Sequence, residues 1–478
     1  MRRNRIPAAI MIAAAFSAFG AAFAAAPAKP NIAVFLCDDH GYLDSEAYGA
    51  EDVRTPNMKK LAEDGLVFAN AFIASPSCAP SRAALLTGLM PARNGAEANH
   101  TYPRAEIKKL PAYLQDAGYE VAAFGKVAHG KSAKDYGFDH FVLNFDLQLV
   151  AKYLAERDAS KPLCLFVGTN DPHVPWTKNT EYDAARIALP PAFFDTPETR
   201  QLRTDYYTEV TRADADLATL RALAAEALGS NTLFIYTSDH GAQWPFGKWN
   251  LYDSSIRTPF IAVWPGVIEP GSKTDAMVSW IDILPTFVDL AGGNLPSEID
   301  GKSFAGVLLG KRSEHRSEIY TTHSGDGTMN VYPIRSLRTP DYKYILNLHP
   351  EFAHTTHIDK AAGRDGLIYW NSWYRAAQAG DEKAAAIVRR YHERPREELY
   401  DLKRDPNELA NLADLPEYRE TLGAMRAKVQ AWMQEQGDAG TVFNTPRLLS
   451  DPKSTIPAGW KAGPPPATNM APAAPNKQ

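Results

Sequence analysis

Cysteine is scarce in this 478-residue chain, which contains only Cys37, Cys78 and Cys164. Three is an odd number and too few for a disulfide scaffold, so a small cross-linked secreted fold is excluded. Cys37 ends one apolar run and Cys164 lies within another, as is typical of cysteines that pack as small hydrophobic residues. Cys78 has different surroundings and needs another explanation.

An excess of basic residues is also missing, since 51 Lys and Arg stand against 56 Asp and Glu, for a formal net charge of -5. A chain with this balance is a poor general binder of nucleic acid. Any anionic ligand must therefore be held by local cations. The sequence has no internal repeat, and beyond its first 30 residues it has no apolar run long enough to span a bilayer.

The first 24 residues are predicted to be a signal peptide. Arg2, Arg3 and Arg5 precede an apolar run that extends to about Phe23, and small residues in an A-x-A pattern follow. The alternative is a retained membrane anchor, for which the run is short and rich in alanine. We therefore expect an exported protein, periplasmic or secreted, without a membrane span once the signal is removed.

Apolar strands alternate with helical patterns through the first three hundred residues. The predicted strands are Asn31 to Cys37, Tyr119 to Gly125, Pro162 to Gly168, Asn231 to Ser238 and Pro259 to Gly266. Uniformly apolar strands between helices indicate an α/β fold with a large, mostly parallel sheet covered by helices on both faces. Half-polar strands later in the chain predict a smaller α+β subdomain with an antiparallel sheet.

The predicted organisation has four parts. They are the signal peptide at 1–24, a catalytic α/β domain at 28–312, a C-terminal subdomain at 313–446 and a Pro/Ala-rich, unpacked tail at 447–478.

Charged and polar side chains follow four of the predicted strands. They are Asp38, Asp39 and His40, then Lys126 and His129, then Asn170, Asp171 and His173, and finally Asp239 and His240. Ligand sites of open parallel sheets lie beyond the carboxyl ends of the strands, so we expect these groups to meet at one edge. Adjacent carboxylates repel unless a cation lies between them, and oxygen ligands favour Ca²⁺ or Mg²⁺. Turn capping is the alternative for the aspartates, and His240 either ligates the ion or hydrogen-bonds to a ligand.

Cys78 lies in the stretch SPSCAPSRAALLTG. Pro80 suits the first turn of a helix, and Arg82 follows one turn along. A helix N-terminus and a nearby arginine both lower a thiol pKa, so these residues alone predict a reactive thiolate. The alternative is a buried structural cysteine.

The run C-A-P-S-R-A-A-L-L-T-G resembles the C-x-P-S-R-x-x-x-L-T-G motif of the type I, formylglycine-dependent sulfatases of the alkaline phosphatase superfamily. Further blocks follow in the order of that family: D-D-H-G at Asp38, G-K-x-x-H at Gly125, D-P-H at Asp171, S-D-H-G at Ser238 and ELYDLKRDPNELANL at Glu398. The resemblance covers about residues 30–436. It implies an alkaline-phosphatase-like fold and sulfatase activity.

The resemblance also implies a cofactor set. Cys78 would be oxidised after translation to formylglycine by a maturase that reads the surrounding motif. One hydroxyl of the hydrated aldehyde attacks sulfur and releases the alcohol, and the other helps to expel sulfate. Ca²⁺, in preference to Mg²⁺, would be held by Asp38, Asp39, Cys78, Asp239 and His240.

The remaining roles come from the same resemblance. Arg82 and Lys126 would steady the hydrated aldehyde and its charge. His129 would be the base for sulfate release. His173 and Lys248 would bind the sulfate, and either would protonate the leaving oxygen.

The subgroup features are mixed. PFGKWNLYDSSIRTPFI and IRSLRTPDYKYILNL resemble sulfamidases, whereas GKVAHG spaces its lysine and histidine as iduronate 2-sulfatases do. His240 stands where sulfamidases have asparagine. We expect a bacterial sulfatase that removes sulfate esters or N-sulfo groups from a sulfated glycan, with the sugar, the sulfated position and the linkage left open.

Contacts with the glycan are predicted from the loop after Gly88, where His100 and Arg104 suit an anionic sugar, and from Trp176, which offers a flat ring face. The C-terminal subdomain adds His323 and the loop from His354 to His357 as candidates. Two other functions stay open. One is a phosphonate monoester or phosphodiester hydrolase of the same superfamily, and the other is a non-catalytic sulfated-glycan-binding protein in which Cys78 is unmodified.

Overall fold

The computed structural model describes residues 29–295, 297–363 and 365–461. The predicted signal peptide and residues 462–478 of the predicted tail lie outside the described residues. Within the described ranges, every helix is too short or too polar to span a lipid bilayer.

The strands form one large sheet and two smaller ones. In chain order they are β1 (Asn31–Cys37), β2 (Leu66–Phe68), β3 (Ala71–Phe72), β4 (Glu120–Gly125), β5 (His140–Val142), β6 (Leu163–Gly168), β7 (Thr232–Ser238), β8 (Phe260–Val263), β9 (Ser272–Thr274), β10 (Val278–Ser279), β11 (Ile319–His323), β12 (Ile334–Arg338), β13 (Tyr342–Asn347) and β14 (Glu397–Asp401). The large sheet has the order β5-β4-β6-β1-β7-β8-β2-β9, and β10 pairs with β3. The first five strands of that order run parallel, while β8 is antiparallel to both β7 and β2.

Helices cover the large sheet and surround the C-terminal part. They are α1 (Pro56–Asp64), α2 (Cys78–Thr87), α3 (Pro91–Asn94), α4 (Leu110–Asp116), α5 (Leu147–Glu156), α6 (Pro197–Leu228), α7 (Asp253–Ile256), α8 (Ile283–Leu290), α9 (Ala305–Leu308), α10 (His357–Lys360), α11 (Asp365–Gln378), α12 (Glu382–His392) and α13 (Arg419–Gln436). Short 3₁₀ segments occur at Glu46–Tyr48, Gly130–Tyr136, Trp280–Asp282, Pro416–Tyr418 and Pro452–Thr455.

Alternate residues of the central strands face opposite layers of the core, as strand geometry requires. In β1, Val34 and Leu36 pack in the layer that contains α2, α4 and α8. Ala33 and Phe35 pack in the opposite layer, with α1, α5 and α6. Both faces of the sheet are therefore buried, and this confirms the predicted α/β fold with a mostly parallel sheet between helices.

Two glycines allow the ends of β4 and β6 to approach closely. A Cβ atom at Gly125 would lie 2.0 Å from the carbonyl oxygen of Gly168, and one at Gly168 would lie 2.2 Å from the carbonyl oxygen of Lys126. Any side chain at either position would separate these strand ends. The loops that begin at Lys126 and Thr169 are consequently held side by side.

The C-terminal part contains an antiparallel sheet in the order β11-β12-β13-β14, as predicted. Helix α13 packs on it through Leu422, Met425 and Val429. Helices α11 and α12 were not predicted. Their buried face is rich in aromatic residues, and the indole of Trp373 donates a 2.7 Å hydrogen bond to Thr199 Oγ1 of α6.

The prediction of an unpacked tail from residue 447 is wrong as far as residue 461. The Ala353 amide donates to the Arg447 carbonyl at 2.8 Å, and Leu448 bridges to Phe352. Further along, Lys360 Nζ donates to the Ile456 carbonyl at 2.6 Å. Backbone hydrogen bonds fix this segment although its composition is typical of a loop. The boundary at 312/313 stays a prediction.

Candidate active site

The carboxyl ends of β4, β6, β1 and β7 lie next to one another, and the predicted charged loops follow directly from them. The backbone joins these loops: the Asp38 amide donates to the Asp171 carbonyl at 3.1 Å, and the Asp39 amide donates to Asp239 Oδ1 at 3.0 Å. Asp39 has a φ of 67°, a left-handed conformation that is uncommon for residues other than glycine. Such strain is typical of functional sites.

Cys78 is the first residue of α2, as the position of Pro80 predicted. Ser77 precedes the helix in an extended conformation, and Gly88 ends it with a φ of 65°. Every residue of this helix is buried, and Cys78 is only 2% exposed. The helix therefore delivers the sulfur to the interior of the charged edge.

Four potential metal ligands surround one point at this edge. One donor atom from each of Asp39, Cys78, Asp239 and His240 lies within 4.8 Å of the others, and all four residues are buried. The Sγ atom is 3.5 Å from His240 Nε2 and 3.7 Å from Asp38 Oδ1. His240 Nδ1-H donates to the Gly241 carbonyl at 3.0 Å, which leaves Nε2 as an acceptor.

This donor set fits a divalent cation. The carboxylates of Asp38, Asp39 and Asp239 supply hard oxygens, and imidazole adds a nitrogen. Burial would raise the pKa of Asp38 and Asp39, but neighbouring cations hold both carboxyls below their usual pKa, so they stay ionised.

Three cations balance these carboxylates, of which Arg82 and Lys248 are buried and Lys126 is half-buried. Arg82 donates to Asp239 Oδ2 at 3.0 Å and to Asp38 Oδ1 at 3.3 Å, and Lys126 donates to Asp38 and lies 3.7 Å from Sγ. Lys248 donates to both oxygens of Asp39. The three carboxylates and the three cationic side chains carry no net charge together. A bound divalent cation would therefore give the site a charge of +2. Such a site attracts an anion.

The expectation of a thiolate at Cys78 is wrong. Burial raises the pKa of this thiol to about 12 against the opposing influence of Lys126 and Lys248. The helix N-terminus and Arg82 do not compensate, because the Arg82 guanidinium is occupied by Asp239 and Asp38. A neutral thiol is a weak nucleophile.

Two predicted histidines border the cleft above this cluster, together with Asp38 and Lys126. His173 Nδ1 bonds to the Val174 carbonyl at 2.6 Å, and its Nε2 lies 3.9 Å from Asp39 Oδ2. His129 Nε2 lies 2.8 Å from His100 Nδ1. Burial, with help from Lys126, lowers the pKa of His129 to about 3.

The predicted glycan contacts differ in their surroundings. His100 is more than half exposed beside His129. Arg104 donates to the Arg93 carbonyl and pairs with Glu106 at 3.3 Å, and among the described residues none of its polar contacts reaches the acidic cluster. His323 is fully buried against Asn330, and His357 stacks on Trp249.

Trp176 does not present the free ring face that was expected. It is 8% exposed, its ring stacks on Trp244 with centroids 4.6 Å apart, and Tyr206 meets it edge-on. Its indole nitrogen donates to the Pro172 carbonyl at 2.9 Å. Trp176 therefore supports the His173 loop from beneath.

Sequence reasoning missed Asn99 and Asp326. The Asn99 side chain accepts from the Ala79 amide at 3.1 Å and donates to Asp326 Oδ2 at 2.9 Å, which links the start of α2 to the loop after β11. Asp326 is buried and also accepts from the Trp249 indole at 2.8 Å. The only signal for Asp326 was its place in the turn SGDG, which is equally typical of a solvated loop.

Comparisons with known proteins agree with this geometry. The family model described as Sulfatase matches residues 30–152 and 145–293, and the model described as N-sulphoglucosamine sulphohydrolase, C-terminal, matches residues 240–358.

An ulvan-active sulfatase of Formosa agariphila is 34% identical over 429 residues, covering 86% of this chain and 81% of that protein. The N-sulphoglucosamine sulphohydrolase of Homo sapiens is 28% identical over 494 residues, covering 86% and 91%. A protein solved in complex with its substrate D-glucosamine-2-N,6-O-disulfate superposes with a TM-score of 0.65 at 19% identity, over 87% of this chain and 100% of that chain. That last similarity concerns the fold alone.

Proposed function

The chain belongs to the sulfatase family and is a sulfuric ester hydrolase, and we propose that it acts on a sulfated glycan with a formylglycine made from Cys78 and a bound Ca²⁺. The observation that carries the proposal is the position of Cys78. Its sulfur lies at the start of a helix, inside a cluster of three carboxylates, three cations and an imidazole.

Asp38, Asp39, Asp239, His240 and the modified Cys78 would hold the cation. Ca²⁺ suits this set better than Mg²⁺, because three carboxylates and an imidazole leave little room for the waters that Mg²⁺ retains. The ion would add positive charge where the sulfate group binds, and the hydrated aldehyde would supply the oxygen nucleophile that a neutral thiol cannot.

The side chains of this chain would then bind and move protons. Lys248 carries its proton at neutral pH because Asp39 offsets the effect of burial and raises the pKa of the lysine. Lys248, with His173 beside it, would bind the sulfate oxygens and protonate the leaving oxygen. Arg82 and Lys126 would fix the hydroxyls at position 78, and His129 would accept the proton released with sulfate.

The substrate class follows from two considerations. The relatives named above are described as active on ulvan and on N-sulphoglucosamine, both sulfated carbohydrates. A site of charge +2 at the bottom of a cleft also suits a single sulfate group on a larger molecule. Ester and N-sulfo linkages are both retained in the proposal. The N-terminal signal would export the protein to the periplasm or beyond.

The test combines mass spectrometry with a substrate panel. The protein is produced with and without a formylglycine-generating maturase, and the peptide containing Cys78 is analysed for the aldehyde. Sulfated monosaccharides, glycan oligosaccharides and a small aryl sulfate are then assayed. We expect turnover only when the aldehyde is present, and Cys78→Ala should fold but lose nearly all activity.

Cys164→Ala is the matched control, because Cys164 is equally buried but lies in β6, within the core. It should retain activity at some cost in stability. Normal turnover by Cys78→Ala, or by unmodified protein, would overturn the proposal. Preference for a phosphonate monoester over every sulfated compound would favour the other hydrolase class.

A further inference from the structure

A chain of three side chains leads from the candidate base to the C-terminal part of the molecule. His129 Nε2 lies 2.8 Å from His100 Nδ1, and His100 Nε2 lies 3.3 Å from Asp326 Oδ1. The side-chain nitrogen of Asn99 lies 3.5 Å from His100 Nε2 and donates to Asp326 Oδ2 at 2.9 Å. Of these two neighbours, only the Asp326 carboxylate can accept from a protonated His100 Nε2, because an amide nitrogen donates.

The backbone holds this arrangement at a conformational cost. His100 has a φ of 65°, in the left-handed region. The backbone amide of Asn99 donates to the Gly325 carbonyl at 2.9 Å. A histidine in this conformation costs about 1 kcal/mol or more and persists where surrounding contacts determine it. Here the contacts turn the His100 ring between His129 and Asp326.

We propose that His100 and Asp326 are positioning residues that complete the proton acceptor of the active site, with His129 as the intermediate carrier. The proposal rests on the proposed function, in which His129 accepts the proton released with sulfate. It assigns the final proton to His100 and not to His129.

The proton bookkeeping follows from the partners. In the proposed relay, the neutral His100 carries its proton on Nε2, next to the acceptor-only Asp326, and accepts at Nδ1 from His129 Nε2-H. His129 Nδ1 is then the nitrogen that takes up the incoming proton. As that N-H bond forms, the Nε2 proton of His129 passes to His100 Nδ1. One proton enters at His129, one moves to His100, and His100 stays in contact with both His129 and Asp326.

The electrostatics of the two rings support this direction. Burial lowers the pKa of His129, and Lys126, His100 and Arg82 add to the effect, so His129 alone is a weak base. The hydrogen bond to Asp326 raises the pKa of His100. Among the described side chains, the charged and titratable groups near the pair include Arg82, Lys126 and Asp38 towards His129, and Asp326, Lys126, Lys248 and His357 towards His100.

The exposed His100 ring can pass its proton to solvent. The His100 side chain is 59% exposed, whereas its Asp326 partner is 4% exposed. A proton held on His100 can therefore pass to solvent between turnovers. This organisation resembles the way a buried aspartate orients and stabilises a catalytic imidazole in other hydrolases.

The first experiment measures kcat and KM of Asp326→Asn and His100→Gln for a small aryl sulfate across pH. We expect kcat to fall about 10- to 100-fold while kcat/KM changes little, because the proton acceptor acts after the alcohol has left. Loss of the carboxylate lowers the pKa of His100, so the acid limb of kcat should move to lower pH. The aldehyde content of each variant is measured so that activity is expressed per modified site.

Glu351→Gln and His349→Gln are the matched controls. His349 and Glu351 form a partly exposed imidazole–carboxylate pair at 3.0 Å, and neither residue lines the cleft. They should leave both kcat and the acid limb unchanged. If instead His100 only contacts sugar, its variant loses activity on glycan but not on the aryl sulfate, and the proposal is overturned.

The second experiment does not depend on turnover. ¹⁵N NMR of the imidazoles follows His100 and His129 as the pH is lowered. We expect the first proton on the pair to settle on His100, and Asp326→Asn to lower the pKa of His100. Protonation of His129 first, or an unchanged His100 in Asp326→Asn, would contradict the relay. Absence of aldehyde and of all sulfatase turnover would instead contradict the proposed function.

Discussion

Lys248 Nζ lies 2.8 and 2.9 Å from the two carboxylate oxygens of Asp39, and both side chains are buried. Asp39 is also one of the four groups that surround the candidate cation position. The same carboxylate thus pairs with a lysine and is one of the candidate ligands of the ion. Ion binding and the Lys248–Asp39 ion pair should therefore compete for the same carboxylate.

The Lys248→Met variant should bind Ca²⁺ more tightly than the parent protein does, and it should lose turnover. The substitution removes a cation that competes with the ion for Asp39. In the metal-free protein it leaves a buried carboxylate unpaired, at a cost of about 3–5 kcal/mol, and Ca²⁺ should recover most of that stability. Calorimetric titration and thermal melts with and without Ca²⁺ measure the two effects.

Lys343→Met is the control for this coupling. Lys343 is a buried lysine paired with Asp253 at 2.6 Å, away from the candidate ligands. Its variant should lose the same stability with and without Ca²⁺. Weaker Ca²⁺ binding by Lys248→Met would refute the competition.

Exhaustive chelation should lower both activity and melting temperature, and Ca²⁺ should restore them. An ion present at 100 times its dissociation constant stabilises the folded state by about 2.7 kcal/mol. Asp239→Asn should weaken this response, because it removes a ligand and the partner of Arg82. Asp300 pairs with Arg93 at 2.6 Å outside the site, so Asp300→Asn should respond to Ca²⁺ as the parent protein does. A melting temperature indifferent to chelation would argue against a resident ion.

Trp176→Phe should reduce stability and leave substrate preference unchanged. The variant loses the hydrogen bond to the Pro172 carbonyl and part of the contact with Trp244, which together cost about 2 kcal/mol. The ratio of kcat/KM for the natural glycan to that for an aryl sulfate reports the preference. A selective rise in KM for the glycan would show that the ring reaches the sugar after all.

Stability should fall as the pH drops from about 6.5 towards 4. Burial lowers the pKa of His323 and of His392 to about 4, and that of His354 well below its usual value. The unfolded chain therefore binds more protons than the folded one in this window, and each histidine removes about 1.4 kcal/mol per pH unit. Asp216 and Glu408, whose pKa values burial raises to about 6 and about 7, act in the opposite direction.

Melting temperatures at pH 7 and pH 5 test this balance. His392→Gln should reduce the difference between them, whereas the partly exposed His349→Gln should not. An equal difference in all three proteins would assign the acid sensitivity to other groups.

The parallel strands and the charged loops could be predicted from the sequence because their signals are local. The run from Ile32 to Cys37 is apolar throughout and is followed at once by two aspartates. The start of α2 at Cys78 followed from the position of Pro80. In each case, a few consecutive residues carry both the conformation and the chemistry.

The features that the sequence did not predict correctly depend on contacts between distant parts of the chain. Asp326 lies 227 residues from Asn99 in the chain, and only the packing of β11 against the α/β part brings them together. The sequence predicts a sugar-facing role for Trp176 because it does not report that Trp244 and Tyr206 cover the ring. The thiolate expectation failed because burial outweighs the nearby charges, and burial depends on the complete fold.

The burial of Cys78 has a consequence for the order of events during synthesis. His240, which lies against the sulfur, is 162 residues further along the chain, so the pocket cannot close until that segment has been made. Under the proposed function, the enzyme that oxidises Cys78 would need access to a side chain that the folded protein leaves 2% exposed. Modification and folding would therefore compete in time. A chain that folds first would be trapped as a stable but inactive molecule.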